Sequence, residues 1–187
     1  MNKIAMILLF FGVVSTVRSQ EVSVEKSTFG LQTGILGVWV HHEAKLSNTI
    51  VLRTELGLDS EIFDSSSRDQ TGFLLTPVIT LEPKYYYNLK KRFEKSRKID
   101  GNSGNFISLH SSYHPAWFTL SNTENVEVIR DITLIPTWGI RRNIGNHFTY
   151  EAGFGIGYRY IFLKREGFQE NQQEIAANLH LRLGYRF

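Results

Sequence analysis

Residues 175–187 alternate without a break, and that alternation limits what this chain can fold into more than any other feature. Ile175, Ala177, Leu179, Leu181, Leu183, Tyr185 and Phe187 are all apolar, whereas Ala176, Asn178, His180, Arg182, Gly184 and Arg186 are small or polar. A period of two belongs to a β-strand with one apolar and one wet face. The pattern recurs upstream. In 73–87, Phe73, Leu75, Pro77, Ile79, Leu81, Pro83, Tyr85 and Tyr87 oppose Thr76, Thr80, Glu82 and Lys84. In 148–162, Phe148, Tyr150, Ala152, Phe154, Ile156, Tyr158, Tyr160 and Phe162 oppose Glu151, Gly153, Gly155, Gly157 and Arg159. Segments 49–58, 106–117 and 132–144 alternate as well. Segment 28–40, read as one strand, places Phe29, Leu31, Ile35 and Trp39 on one face.

These seven segments are joined by polar loops at 59–71, 118–127 and 164–174 and by tight turns at 44–48 and 143–146. The turn at 88–104 is basic, with Lys90, Lys91, Arg92, Lys95, Arg97 and Lys98. Leu89 and Phe93 stand four apart there, the spacing of a short amphipathic helix.

The N-terminus carries the marks of a secretory signal peptide over 1–19. Lys3 supplies the positive end, 4–14 the apolar core, and Val17-Arg18-Ser19 a small-residue cleavage site. The apolar run is too short to span a bilayer as a helix. The remaining 20–187 form one domain's worth of chain without a linker. The absence of cysteine removes disulfides, thiolate metal ligands and a lipoprotein anchor. A mean hydropathy just below zero does not argue against a membrane, because alternating strands dilute their lipid face with their lumen face. The net charge of +3 is small and spread out, which argues against nucleic acid as a partner.

Long alternating strands, a signal peptide and a terminal Tyr185-x-Phe187 together resemble the closing strand of bacterial outer-membrane β-barrels. There the last aromatic is the signal read by the barrel assembly machinery. The whole mature chain resembles the small outer-membrane β-barrel proteins of Bacteroidetes. The likeness rests on the Leu-Ser-Asn turn before the strand ending Glu55-Leu56-Gly57, on Glu82-Pro83-Lys84-Tyr85-Tyr86-Tyr87-Asn88, and on the C-terminal motif. It implies an all-β, antiparallel up-and-down transmembrane barrel of about eight strands, monomeric, in contact with outer-membrane lipids, with no cofactor or metal. Bacterial single-chain barrels use even strand numbers, so an eighth strand is expected either in 20–27 or within the basic segment. A soluble β-sandwich also alternates, but it explains neither the signal peptide nor the terminal aromatic.

With the C-terminus at the periplasmic rim, one aromatic girdle holds Tyr85, Tyr87, Phe148, Tyr150, Tyr185 and Phe187. The opposite girdle holds Phe73, Trp117, Tyr158, Tyr160 and Phe162. The basic segment then contacts lipid headgroups or is a solvated connection. Counting inward from the rim puts Arg53, Glu82, Glu151 and Arg182 at similar depth, with Glu55 slightly higher, an ionic layer across a packed lumen. An ion pathway, or a small-solute pore as a third function, would need a wider barrel.

Two function classes follow: a non-enzymatic structural or ligand-binding barrel, and a lipid-modifying enzyme. The second rests on His110 and Ser112, a His-x-Ser pair that resembles lipid A deacylase barrels, whose hydroxyl nucleophile needs a His and a carboxylate. No carboxylate partner is identifiable from the sequence. His110 and His114 share a face but are roughly 13 Å apart at strand rise, too far to ligate one metal. The glycines at 153, 155 and 157 lie in a strand with no following helix, so they are not a phosphate-binding loop. Making room for large lumen side chains is the expected role.

Overall fold

The computed structural model describes residues 22–35, 37–65, 70–122 and 128–187. The signal sequence expected at 1–19 lies outside the described residues, as do 66–69 and 123–127 of the loops. The described residues form nine strands: β1 (Ser27–Gly34), β2 (Gly37–Lys45), β3 (Ile50–Ser65), β4 (Gln70–Tyr86), β5 (Asn105–His114), β6 (Leu120–Ser121), β7 (Asp131–Ile144), β8 (Phe148–Ile161) and β9 (Gln172–Arg186). Eight of them close an antiparallel up-and-down barrel in the order β1-β2-β3-β4-β5-β7-β8-β9, sealed by β9 against β1. The two-residue β6 adds to the outer part of β4.

The eighth strand comes from a place the alternation disguised. Segment 28–40 is not one strand but the hairpin β1–β2, turning between Gly34 and Gly37. Gly37 has φ 144°, a conformation open to glycine. Antiparallel partners share a face, so Leu31 opposite Val40 switches the outward residues from odd to even numbers. Trp39, expected on the outer face, therefore points inward and is 4% exposed. Among the described residues, neither location expected for the eighth strand supplies one. Residues 22–25 are a tail outside the sheet, and the basic segment holds a helix, α1 (Leu89–Glu94), and a 3-10 turn (Asp100–Asn102). The loop expected at 59–71 is also corrected, since β3 and β4 stay paired out to Ser65 opposite Gln70. Likewise β9 begins at Gln172, inside the loop expected at 164–174.

Polarity is inverted relative to a water-soluble barrel. Phe29, Val40, Leu56, Leu81, Ile107, Leu134, Phe154 and Leu179 are exposed on successive strands right round the outside. Charged side chains fill the inside, and Arg53, Glu43 and Glu82 are fully buried. The end with the short turns is closed by a small apolar cluster. Val51, Tyr86 and Phe106 point inward and meet Leu89 from α1 and Val24 from the tail. Asn102 reaches up from the 3-10 turn, its Oδ1 accepting from the Glu25 backbone and its Nδ2 donating to Glu43 at 2.7 Å. Tail, helix and turn thus form a plug.

Glycines admit the large inward rings. A Cβ on Gly139 would overlap the Phe106 ring, and one on Gly57 would overlap Trp39. The glycines at 153, 155 and 157 act otherwise than expected. A Cβ there would strike chiefly the β7 backbone, at the carbonyls of Trp138, Pro136 and Leu134, so they permit close approach of two strands.

Candidate functional site: the charged floor and polar cavity of the lumen

Strand register builds the charged layer. Glu43, Arg53 and Glu82 are cross-strand neighbours on β2, β3 and β4, and Arg141, Glu151 and Arg182 are neighbours on β7, β8 and β9. Glu151 is the hub. It accepts from Arg53 at 2.8 Å, Gln32 at 3.0 Å and Lys84 at 3.1 Å, and its other contact is His180 Nε2 at 2.8 Å. Arg53 also donates to Glu55 and to Gln32. Arg141 donates to Glu43 at 2.7 Å, while Arg182 grips Glu55 at 2.8 and 2.9 Å and lies over the Trp39 ring at 3.8 Å. Four cations (Arg53, Lys84, Arg141, Arg182) face four carboxylates (Glu43, Glu55, Glu82, Glu151). Equal numbers matter because an uncompensated charge away from water is strongly destabilising.

All five residues expected in the layer lie there, and the sequence missed Glu43, Lys84 and Arg141. Glu43 is disguised because the β1–β2 turn switches the inward residues from even to odd numbers. Lys84 shares the inward face with Glu82, so strict alternation was signal enough to include it. Arg141 is adjacent to Arg142, and only the register with Glu151 says which of the two faces inward.

Above this floor lies a polar cavity of about 500 Å³, lined by Asp59, Ser60, His110, Ser112, His114, Thr133, Arg159 and Asn178 among others. His114 sits between two carboxylates, Nδ1 at 3.0 Å from Asp131 and Nε2 at 3.1 Å from Asp59. Asp131 also accepts from Arg159 at 2.6 Å, and Asp59 from Trp39 Nε1 at 2.6 Å. At the bottom, His110 Nδ1 stands 3.9 Å from Glu82 Oε2. Both atoms are buried and have no hydrogen-bond partner among the described residues. The Ser112 hydroxyl bonds to Thr133 at 2.5 Å rather than to a histidine. The carboxylates that the His-x-Ser reading lacked are therefore present, Glu82 near His110 and Asp131 on His114. The hydrogen bond from nucleophile to base is not made among the described residues.

The expected girdle residues Tyr85, Tyr87, Tyr150, Tyr185 and Phe187 are exposed around the plugged rim, where Trp138 donates to the Tyr87 hydroxyl at 2.8 Å. Trp117 and Tyr158 are exposed toward the other end. Tyr160 is only half-buried there, its ring against Phe162 at 5.1 Å. In the basic segment, Lys90, Lys91, Lys95, Arg97 and Lys98 are exposed, whereas Arg92 is buried and donates to the Lys98 carbonyl at 2.9 Å. Lys91, Arg92, Lys95, Arg97 and Arg142 surround a hollow of about 400 Å³ beside Tyr87. Burial first, and then the Arg142 and Arg97 guanidiniums, pull Arg92 below the usual arginine range.

The architecture defines a class, a closed eight-stranded antiparallel barrel with a charged interior and an apolar exterior. The chain matches no protein-family model, no curated protein and no solved structure.

Proposed function

We propose that this protein is an outer-membrane β-barrel of the small kind that its sequence resembles in Bacteroidetes. It is exported through the N-terminal signal and works as a non-conducting, ligand-binding barrel. The apolar exterior supports the location: it encircles the wall, far beyond the few hundred Å² that soluble monomers leave exposed. Its aromatics flank that band as interfacial girdles do. The observation that carries the function is the polar cavity over a closed floor. The ionic layer and the apolar plug beneath leave a site that holds a molecule rather than passing one. Cavity size agrees, since ligand pockets commonly measure roughly 300–1,000 Å³. The basic hollow beside Tyr87 suits the phosphates of periplasm-facing lipid headgroups.

Fractionation, a boiled-versus-unboiled gel shift and planar-bilayer recording test this together. The protein is expected in the outer membrane, with faster migration before boiling and no steady channel. Recovery in the soluble periplasm, or a stable conductance, overturns it.

A further inference from the structure

The barrel wall is not equally tall all round. β1 and β2 have eight and nine residues, whereas β3, β4 and β9 have 16, 17 and 15. β1 leaves β9 at Gly34 opposite Arg182, and β2 leaves β3 at Gly37 opposite Asp59. Above those points, residues 172–181 of β9 pair only with β8, and residues 60–65 of β3 pair only with β4. The wall there loses two strands, roughly 10 Å of hydrogen-bonded width. This notch lies at the height of the apolar exterior, since Ile175 and Leu179 beside it are 76% and 58% exposed. Crossing hydrocarbon takes roughly 9–11 residues per strand, so β1 falls short of it and β2 only just reaches it. Strand edges facing lipid without polar company are costly, which calls for a polar occupant at this level.

Both flanks of the notch line the polar cavity: Asp59 and Ser60 from β3, and Ala176, Ala177 and Asn178 from β9. At its foot, on the outside, an apolar groove of about 640 Å³ runs along Ile35, Leu181, Ala152, Leu183, Tyr150 and Ile144. An opening at membrane height that joins an outer apolar groove to an inner polar cavity suits a molecule with both characters.

We infer that the notch is a lateral port through which a lipid with an uncharged, hydroxyl-bearing head, of the monoacylglycerol type, seats its head in the cavity and its chain in the groove. This rests on the membrane location proposed above. The head's chemistry follows from what the cavity leaves unmet. Its charges already pair with one another, His114 with Asp59 and Asp131, and Arg159 with Asp131. What remains is His110 Nδ1, buried, without a hydrogen bond among the described residues and 3.9 Å from Glu82, whose carboxylate already meets Lys84 at 3.4 Å. A hydroxyl serves either histidine tautomer. A fatty-acid carboxylate would instead meet Asp59 and Asp131.

Trp39 is the natural reporter, because a Cβ on Gly34 at the notch foot would lie 3.4 Å from its ring. A Trp117→Phe/Trp138→Phe variant, folded into phosphatidylcholine vesicles, leaves Trp39 alone. Titrating 9,10-dibromostearoyl monoglyceride is expected to quench it saturably, by twofold or more. The same chain on phosphatidylcholine should quench weakly and without saturation. Ala176→Phe, which fills the cavity from β9, should abolish the saturable part while keeping the gel shift; should that variant misfold, Asn178→Leu takes its place. Equal quenching by both brominated lipids, saturable quenching that survives cavity filling, or displacement by free glycerol at equal concentration overturns the port. Failure to fold into vesicles at all removes the membrane reading, and the port with it, so the two failures are distinguishable.

Discussion

Replacing Glu151 by leucine removes the carboxylate on which the lumen's cations converge. Arg53, Lys84, Gln32 and His180 all lie within 2.8–3.1 Å of it, and Arg141 is at 3.4 Å. In Glu151→Leu, four buried cations would face three carboxylates, and the side chains of Arg53, Lys84 and Arg141 are 0% exposed. Breaking a buried ion pair from one side costs about 3–5 kcal/mol. At a urea slope of about 2 kcal/mol/M, the unfolding midpoint in detergent should fall by roughly 1.5–2.5 M. Glu151→Gln keeps the shape and one acceptor oxygen, so it should fall less. Adding Arg53→Met to Glu151→Leu restores charge equality and should recover part of the loss, because apolar replacement of a whole pair is often neutral. An unchanged midpoint in Glu151→Leu would refute the idea that charge balance holds this interior.

Gly57→Val puts a branched side chain into the Trp39 ring and should cost about 1–3 kcal/mol by overpacking, seen as a lower temperature for loss of the gel shift. Trp39→Ala in the same background should relieve the part of the cost that arises at the ring, leaving the part at the Val38 carbonyl, and further destabilisation without any relief would count against it. Phe187 is 78% exposed, so Phe187→Ala should leave stability in detergent unchanged while lowering the amount assembled in the outer membrane several-fold. Equal loss in both settings would make the terminal aromatic a structural residue rather than an address.

Much of the architecture is legible in local periodicity. Where one face is apolar and the other packs a polar interior, every second residue is constrained, so 73–87, 148–162 and 175–187 declare both faces. The register then follows from matching apolar sets, which is why Arg53, Glu82, Glu151 and Arg182 are found at one depth by counting alone. The hairpin at 28–40 escaped because a two-residue turn changes the outward parity while leaving apolar residues on both numbers. With it went the eighth strand, the inward Trp39 and Glu43. The glycine-rich stretch in β8 advertised small size, but only the neighbouring backbone of β7 shows what that size admits.

Local alternation fixes long antiparallel strands, each with one apolar and one polar face, because a period of two over ten or more residues suits no helix. Only the tertiary structure decided which charges meet, how the basic turn and the tail plug one end, and where the wall is low. Those depend on contacts between residues distant in the chain, such as Glu151 with Arg53 or Asn102 with Glu43. They depend equally on the unequal strand lengths of β1 and β9, and no local pattern records either.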